Sequence, residues 1–187
     1  MPGNQYPTTW PSDSVLGFVS RNGLYTVSPS GGGEPVPYIE SDFGLDEFTV
    51  SPDGHWAAYW SSEGVPGTSS GAVWVRGFPD PVGRWRISPG TGYSPRWSAD
   101  GGTLYFWERR GSSFRPYTIF SVQVEAGSSF STNHPEPLIT GPFNNYSWDV
   151  HPDGERFLLT SDVTSGIRHL VVLNWFTQLR AAMRQRD

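Results

Sequence analysis

An all-β fold of β-propeller type is predicted by three observations: a turn phrase that recurs, a spacing between its copies that holds about four short strands, and a chain rich in aromatic residues, Gly and Pro. The phrase is clearest at Ser51-Pro52-Asp53-Gly54, which runs into His55-Trp56-Ala57-Ala58-Tyr59-Trp60. It returns at Ser98-Ala99-Asp100-Gly101-Gly102 before Thr103-Leu104-Tyr105-Phe106-Trp107, and at His151-Pro152-Asp153-Gly154 before Phe157-Leu158-Leu159. A decayed copy, Pro11-Ser12-Asp13-Ser14, precedes Val15-Leu16-Gly17-Phe18. The aspartates Asp13, Asp53, Asp100 and Asp153 lie 40, 47 and 53 residues apart, about one four-stranded blade each. The 22 Gly and 17 Pro suit tight turns, and stacked sheets give the 15% aromatic residues a place. A sandwich is the competing architecture. The prediction is one domain over 1–187 with about four blades, at 6–44, 45–92, 93–144 and 145–187. That makes a half-propeller or a fragment, with a short C-terminal helix.

The first repeat opens on the extended stretch Tyr6 to Trp10 and continues through strands at Val15–Ser20, Leu24–Ser28 and Val36–Ile39. Asn22-Gly23 is a strong hairpin signal because both residues tolerate positive φ. Pro37 suits an edge strand, where no ladder donor is needed. In the second repeat the strands are Leu45–Val50, Trp56–Ser61, Ala72–Phe78 and Gly83–Ser88, the last alternating Trp85 and Ile87 with Arg84 and Arg86 at the period of two. The third repeat reads as Tyr93–Trp97, Leu104–Glu108, Tyr117–Val124 and a weak Glu136–Thr140, with Arg109–Pro116 and Gly127–Pro135 as insertions. The fourth opens at Tyr146–Val150 and continues at Phe157–Leu159 and Arg168–Asn174. Beyond it, Trp175, Leu179 and Met183 recur every four residues, a helical face, and Arg180, Arg184 and Arg186 suit the negative end of that helix.

At 187 residues the chain suffices for one sizeable core. It has no apolar run approaching the roughly 20 residues that cross a bilayer, so no membrane insertion is expected. Its first residues lack the pattern of a signal peptide. A net charge of −5 argues against nucleic-acid binding. With no cysteine there is no disulfide, thiolate metal site or cysteine nucleophile. All 13 basic residues are arginine, which reads as compositional bias before it reads as stacking on Trp and Tyr rings.

Val50-Ser51-Pro52-Asp53-Gly54, Trp97-Ser98-Ala99-Asp100-Gly101, Val73-Trp74-Val75 and Ile119-Phe120-Ser121-Val122 resemble the TolB-like, WD-related propeller repeats of bacterial proteins. The stretch from Trp148 to Phe176 resembles the closing blade of propellers attached to bacterial Ser/Thr kinases, although no kinase feature is present. The resemblance implies a bacterial protein, periplasmic or extracytoplasmic or a soluble domain of a larger one. It also implies use as a scaffold, sensor or gate. Such propellers have six to eight blades, and four copies fall short. Three arrangements meet that shortage: two chains closing an eight-bladed ring, a piece of a longer protein, or a four-bladed ring. The homodimer is the favoured expectation, with the segment Pro2 to Thr8, of the same chain or its partner, covering the last repeat's open edge.

The turn residues Asp13, Asp53, Gly54, Asp100, Gly101, Asp153 and Gly154 are read as structural: the aspartate accepts hydrogen bonds from its own turn while glycine takes positive φ. His55, His134, His151 and His169 show no metal-binding spacing, so neither metal nor cofactor is expected. There is no nucleophile elbow, and peptidases bearing such propellers carry the triad in another domain. Asp42, Asp46, Glu47 and Asp149 are the acids that could line a channel as glycosidase pairs do, but solvated loop positions fit them better. Trp56, Trp60, Trp74, Trp97, Trp107 and Trp148 read as core between blades, with Arg96 or Arg115 available to stack on a ligand. No catalytic residue is assigned and the binding residues stay open. The expected function is a noncatalytic module that binds a protein, peptide or small ligand, or that self-associates. The alternatives are a hydrolase with channel acids and a repeat scaffold without ligand.

Overall fold

A four-residue turn closed by its own polar side chains sets the first hairpin of the second and third sheets. Ser51 N–H donates to Trp56 O at 2.7 Å, Trp56 N–H donates back to Ser51 Oγ at 3.0 Å, and Gly54, at φ +73°, donates to Ser51 O. Ser98, Thr103 and Gly101 repeat those bonds in the third sheet. The first sheet departs from this: Ser12 pairs directly with Val15 across Asp13-Ser14, and Ser14 N–H reaches Ser12 Oγ.

The computed structural model describes residues 5–20, 23–31, 33–63, 70–109, 116–126, 129–163 and 166–172, except for the side chains of 109, 126, 144–147 and 161–172. These form four antiparallel sheets in chain order. The first holds β1 (Tyr6–Ser12), β2 (Val15–Ser20), β3 (Gly23–Val27) and β4 (Val36–Glu40). The second holds β5 (Leu45–Val50), β6 (Trp56–Ser61), β7 (Ala72–Gly77) and a short β8 (Trp85–Arg86). The third holds β9 (Tyr93–Trp97), β10 (Thr103–Arg109), β11 (Tyr117–Ala126), β12 (Phe130–Thr132) and β13 (Glu136–Gly141). The fourth holds β14 (Phe143–Val150), β15 (Phe157–Val163) and β16 (Gly166–Val172). The innermost strands β1, β5, β9 and β14 contact one another in succession, the radial order of a propeller and not of a sandwich.

Three details differ from the sequence reading. Part of the presumed insertion 127–135 is β12, which shares the outer edge of β11 with β13. The fourth sheet begins earlier than Tyr146, because Phe143 and Asn144 already pair with Ser161 and Thr160. Tyr6 to Thr8, offered as cover for the last sheet, lies in β1 and pairs with β2. The expected helix around 175–183 lies outside the described residues.

Three apolar clusters lie between the four sheets. Leu24, Val19, Phe48 and Tyr59 join the first to the second. Val73, Val75, Phe106 and Phe120 join the second to the third. Trp107, Ile119, Phe157 and Leu159 join the third to the fourth. Burying each such side chain stabilises the fold by about 1.5–3 kcal/mol. Gly17 lets the first interface close: a Cβ there would stand 2.7 Å from a Phe48 ring carbon. Among the described residues the outer faces of the first and fourth sheets have no neighbouring sheet. Leu16, Phe18 and Val27, with Tyr6 and Pro7, line an apolar hollow of about 330 Å³ on the first. Leu158 stands 44% exposed on the fourth.

Candidate functional site

The inner strands are where propellers gather polar groups, and here each carries a break in register. β5 is irregular between Asp46 and Thr49, β9 opposite Tyr105 to Trp107, β14 between Asn144 and Trp148, and β1 between Pro7 and Thr9. A bulge re-aims the side chain it carries. Glu47 and Ser94, each six residues before its turn aspartate, sit in two of these bulges at φ +55° and +49°. Left-handed backbone at non-glycine residues costs of order 1 kcal/mol or more and persists only where surrounding bonds hold it.

Those bonds run between sheets. Ser94 N–H donates to Glu47 Oε2 and Ser94 Oγ–H to Oε1, so both oxygens of the carboxyl are engaged. Burial pushes the Glu47 carboxyl above its ordinary value; the two bonds from Ser94 oppose that, neighbouring Asp46 adds to it, and Arg96 opposes it. Asp46 Oδ1 accepts from the Tyr6 hydroxyl of the first sheet and from Glu47 N–H at 2.7 Å. Burial first, and then Asp46, pushes the Tyr6 phenol up. On the far side, the Arg96 guanidinium lies 5.9 Å from the Trp148 ring centroid. Tyr6, Asp46, Glu47, Ser94, Arg96 and Trp148 thus form a polar and aromatic line across all four sheets.

Of the acids considered for a channel pair, Asp46 and Glu47 are adjacent in this line. Asp149 is exposed and accepts from Val150 N–H at 2.9 Å, and Asp42 is exposed in the link between the first two sheets. The turn aspartates lie away from the line. Asp53 accepts from Ser51 Oγ and from His55 N–H, and Asp100 from Ser98 Oγ and Gly102 N–H. The Ser98 hydroxyl and then the Gly102 N–H hold the Asp100 carboxyl below the usual range. At Asp153, desolvation works against ionisation but is outweighed by Glu155 N–H, Arg156 and His151, which hold its carboxyl at about 2. Gly101 and Gly154 take φ +72° and +69° in the same turns.

His55, His134 and His151 are exposed and separate; the side chain of His169 and all of Arg115 lie outside the described residues. Among the described residues no group of three His, Cys, Asp or Glu side chains could hold a metal ion. Trp107 and Trp148 are buried 5.6 Å apart, edge to face, between the third and fourth sheets. Trp56, Trp74 and Trp97 pack against the other clusters, and Trp60 stacks on Tyr93 at 6.3 Å. Arginine does stack on tryptophan: Arg84 lies 3.8 Å over Trp74 while paired with Glu63 at 2.7 Å. Sequence reasoning missed Ser94 and Tyr6. The one available signal was that Ser94 and Glu47 hold the same place relative to their turns.

No protein-family model matches the sequence, and no curated protein does. Solved structures do match. A putative TolB from Agrobacterium tumefaciens superposes with a TM-score of 0.71 at 19% identity, over 92% of this chain and 59% of that one. The Nidogen/Laminin complex matches at 0.60 and 15% identity, over 90% and 59%. A puromycin-hydrolyzing peptidase of Mycobacterium tuberculosis matches at 0.59 and 17% identity, over 90% and 28%. The chain therefore spans about three-fifths or less of the structures it resembles. At these identities the likeness is one of fold: the four sheets of this chain have the β-propeller arrangement and resemble part of the TolB structure.

Proposed function

We propose that the protein is a noncatalytic β-propeller module for binding a protein or other ligand. The observation that carries this reading is the closure of Glu47 upon Ser94. A general acid or nucleophile needs a carboxyl that can meet substrate, whereas Glu47 is part-buried with each oxygen accepting a bond from Ser94 that ties the second sheet to the third. Its raised proton affinity follows from burial, as in any enclosed carboxyl. The likeness to a peptidase extends over 28% of that protein's chain, which favours a shared scaffold over a shared reaction. Incubating the protein with a peptide library and a glycan panel and finding no turnover is the expected result. Turnover that disappears in Glu47→Gln overturns the reading.

The outer faces of the first and fourth sheets support a second element of the proposal, self-association. Each internal interface packs the apolar face of one sheet on the next, and among the described residues the outer side of the first sheet carries an apolar hollow and that of the fourth the exposed Leu158. Stacking the first sheet of one chain on the fourth of another, twice, continues the same interface and closes a ring of eight sheets. Light scattering should then return twice the 20.7 kDa of one chain; a mass of 20.7 kDa refutes the dimer.

A further inference from the structure

Positions equivalent by register in the second and third sheets carry opposite chemistry on the face turned to the next sheet. In the second sheet Trp56 stands three residues after the turn aspartate and pairs with Gly77, and Ala58 pairs with Val75. In the third, Thr103 takes the place of Trp56 and pairs with Gln123, and Tyr105 pairs with Ser121. The first set is plugged. Trp56 meets Trp85 at 5.6 Å, and Phe130 of β12 wedges between them at 4.9 and 5.1 Å. The second set is open. Thr103, Tyr105, Ser121 and Gln123 form one wall of a cleft of about 530 Å³, bounded by the turns Ser98–Asp100 and Pro152–Glu155.

That volume has room for about two or three amino-acid residues and falls within the span of ordinary ligand sites. Tyr105 is 6% exposed, and its hydroxyl lies 3.7 Å from where a Cβ on Gly154 would stand. Gly154, at φ +69°, brings the fourth sheet's turn to the rim of the cleft beside that hydroxyl. The wall offers donors and acceptors: Gln123 Nε2 donates to Thr103 Oγ1 at 3.2 Å, and Ser121 lines the cleft with them. The charge is one-sided. Asp100, Asp153 and Glu155 line the cleft, and among the described residues no basic side chain does. Asp153 is paired with Arg156, whereas Asp100 is held by the neutral donors of Ser98 and Gly102, and Glu155 is exposed. We infer that this cleft between the third and fourth sheets is a binding site for a short extended peptide segment carrying a lysine or arginine side chain. The cation would meet Asp100 and Glu155, and the peptide's amides would meet Gln123, Ser121 and Thr103. This rests on the noncatalytic reading above and gives it a place and a ligand class.

The test uses the full chain, calorimetry and amide chemical shifts. Its probes are an acetylated, amidated Ala-Arg-Ala-Lys peptide, its Ala-Glu-Ala-Glu counterpart, and spermidine. The inference expects one basic peptide per chain, shifts at Ser121 and Gln123, and no binding of the acidic peptide. Thr103→Trp, which copies the plug of the second sheet, should abolish binding while circular dichroism and melting stay unchanged. Should that variant not fold, Glu155→Gln is expected to weaken binding about threefold, as a rim charge does, and Gln123→Leu to weaken it further. No binding of the basic peptide, equal binding of the acidic one, or retention in folded Thr103→Trp overturns the site. Spermidine binding as tightly as the peptide overturns the peptide assignment and makes a free polyamine the ligand. Mass spectrometry of the recovered peptide separates the two readings. An intact peptide that never bound refutes the cleft alone, and a cleaved one refutes the noncatalytic function.

Discussion

Glu47 and Ser94 are the two non-glycine residues at positive φ among the described residues, and each is the other's hydrogen-bond partner. Two strained backbones on neighbouring inner strands are held by one carboxyl. The pair therefore predicts an order of stabilities. Ser94→Ala keeps the strain and loses the hydroxyl, and should cost about 1–2 kcal/mol. Ser94→Gly loses the same hydroxyl but relaxes the backbone, so it should cost less. Urea unfolding of the two variants checks the order, and equal losses would mean that the backbone at 94 is not strained.

The pH dependence of stability should have two limbs of opposite sign. Asp100 and Asp153 are held below their ordinary values in the fold, so their contribution is present above about pH 4 and is lost as pH falls through the depressed values, about 2 for Asp153. Glu47 is held up, so the fold prefers its protonated form. That contribution is present below the glutamate's unfolded value and is lost as pH rises through the raised one. Calorimetric melting across pH 2–8, an approximate window set by these groups, should show Glu47→Gln flattening the upper limb alone. Asp153→Asn should flatten the acid limb alone.

Substitution at the turn glycine tests the repeat itself. Gly54 has open space around a would-be Cβ, so Gly54→Ala is opposed by its φ of +73° and by nothing steric. The expected loss is about 1 kcal/mol, or about 2–4 °C in Tm for a chain of this size.

The plug of the second interface makes a larger prediction. Phe130→Ala removes a ring that is 4% exposed and touches both Trp56 and Trp85, at an expected cost of about 3–5 kcal/mol. Thr132→Ala, exposed on the same short strand, should stay within about 0.5 kcal/mol. Chemical denaturation of both distinguishes a packing role from a passive insertion.

For the proposed ring, Leu158→Arg places a charge on an exposed side chain of the fourth sheet's outer face. It should lower the solution mass of a dimer to that of one chain while leaving the melting temperature of the separated chain unchanged. A dimer that persists would locate the contact elsewhere.

The sheets were legible because their turns are written in residues with few alternatives: Asp to cap its own loop, Gly for positive φ. Strand β12 was not, because three residues flanked by Ser, Asn and Pro give no period to count, and only packing against Trp56 and Trp85 reveals it. Glu47 groups in the sequence with acids such as Asp46 and Asp149 that precede the turns, where solvated loop positions fit better than a channel. Its partner lies 47 residues away, and nothing local to either residue announces the bond. The exchange of Trp56 for Thr103 was visible in the letters, but its meaning required knowing which face of each strand meets the next sheet.

Three clusters for four sheets also set an order of opening. In a separated chain the middle sheets are covered on both faces and, among the described residues, the terminal ones on one, so the four sheets should fray inward. Amide protons of β6, β7, β10 and β11 should then outlast those of β2 and β15 in hydrogen exchange. The protein's most durable part would be its middle, with the Glu47–Ser94 bond at the joint between the two slowest-exchanging sheets.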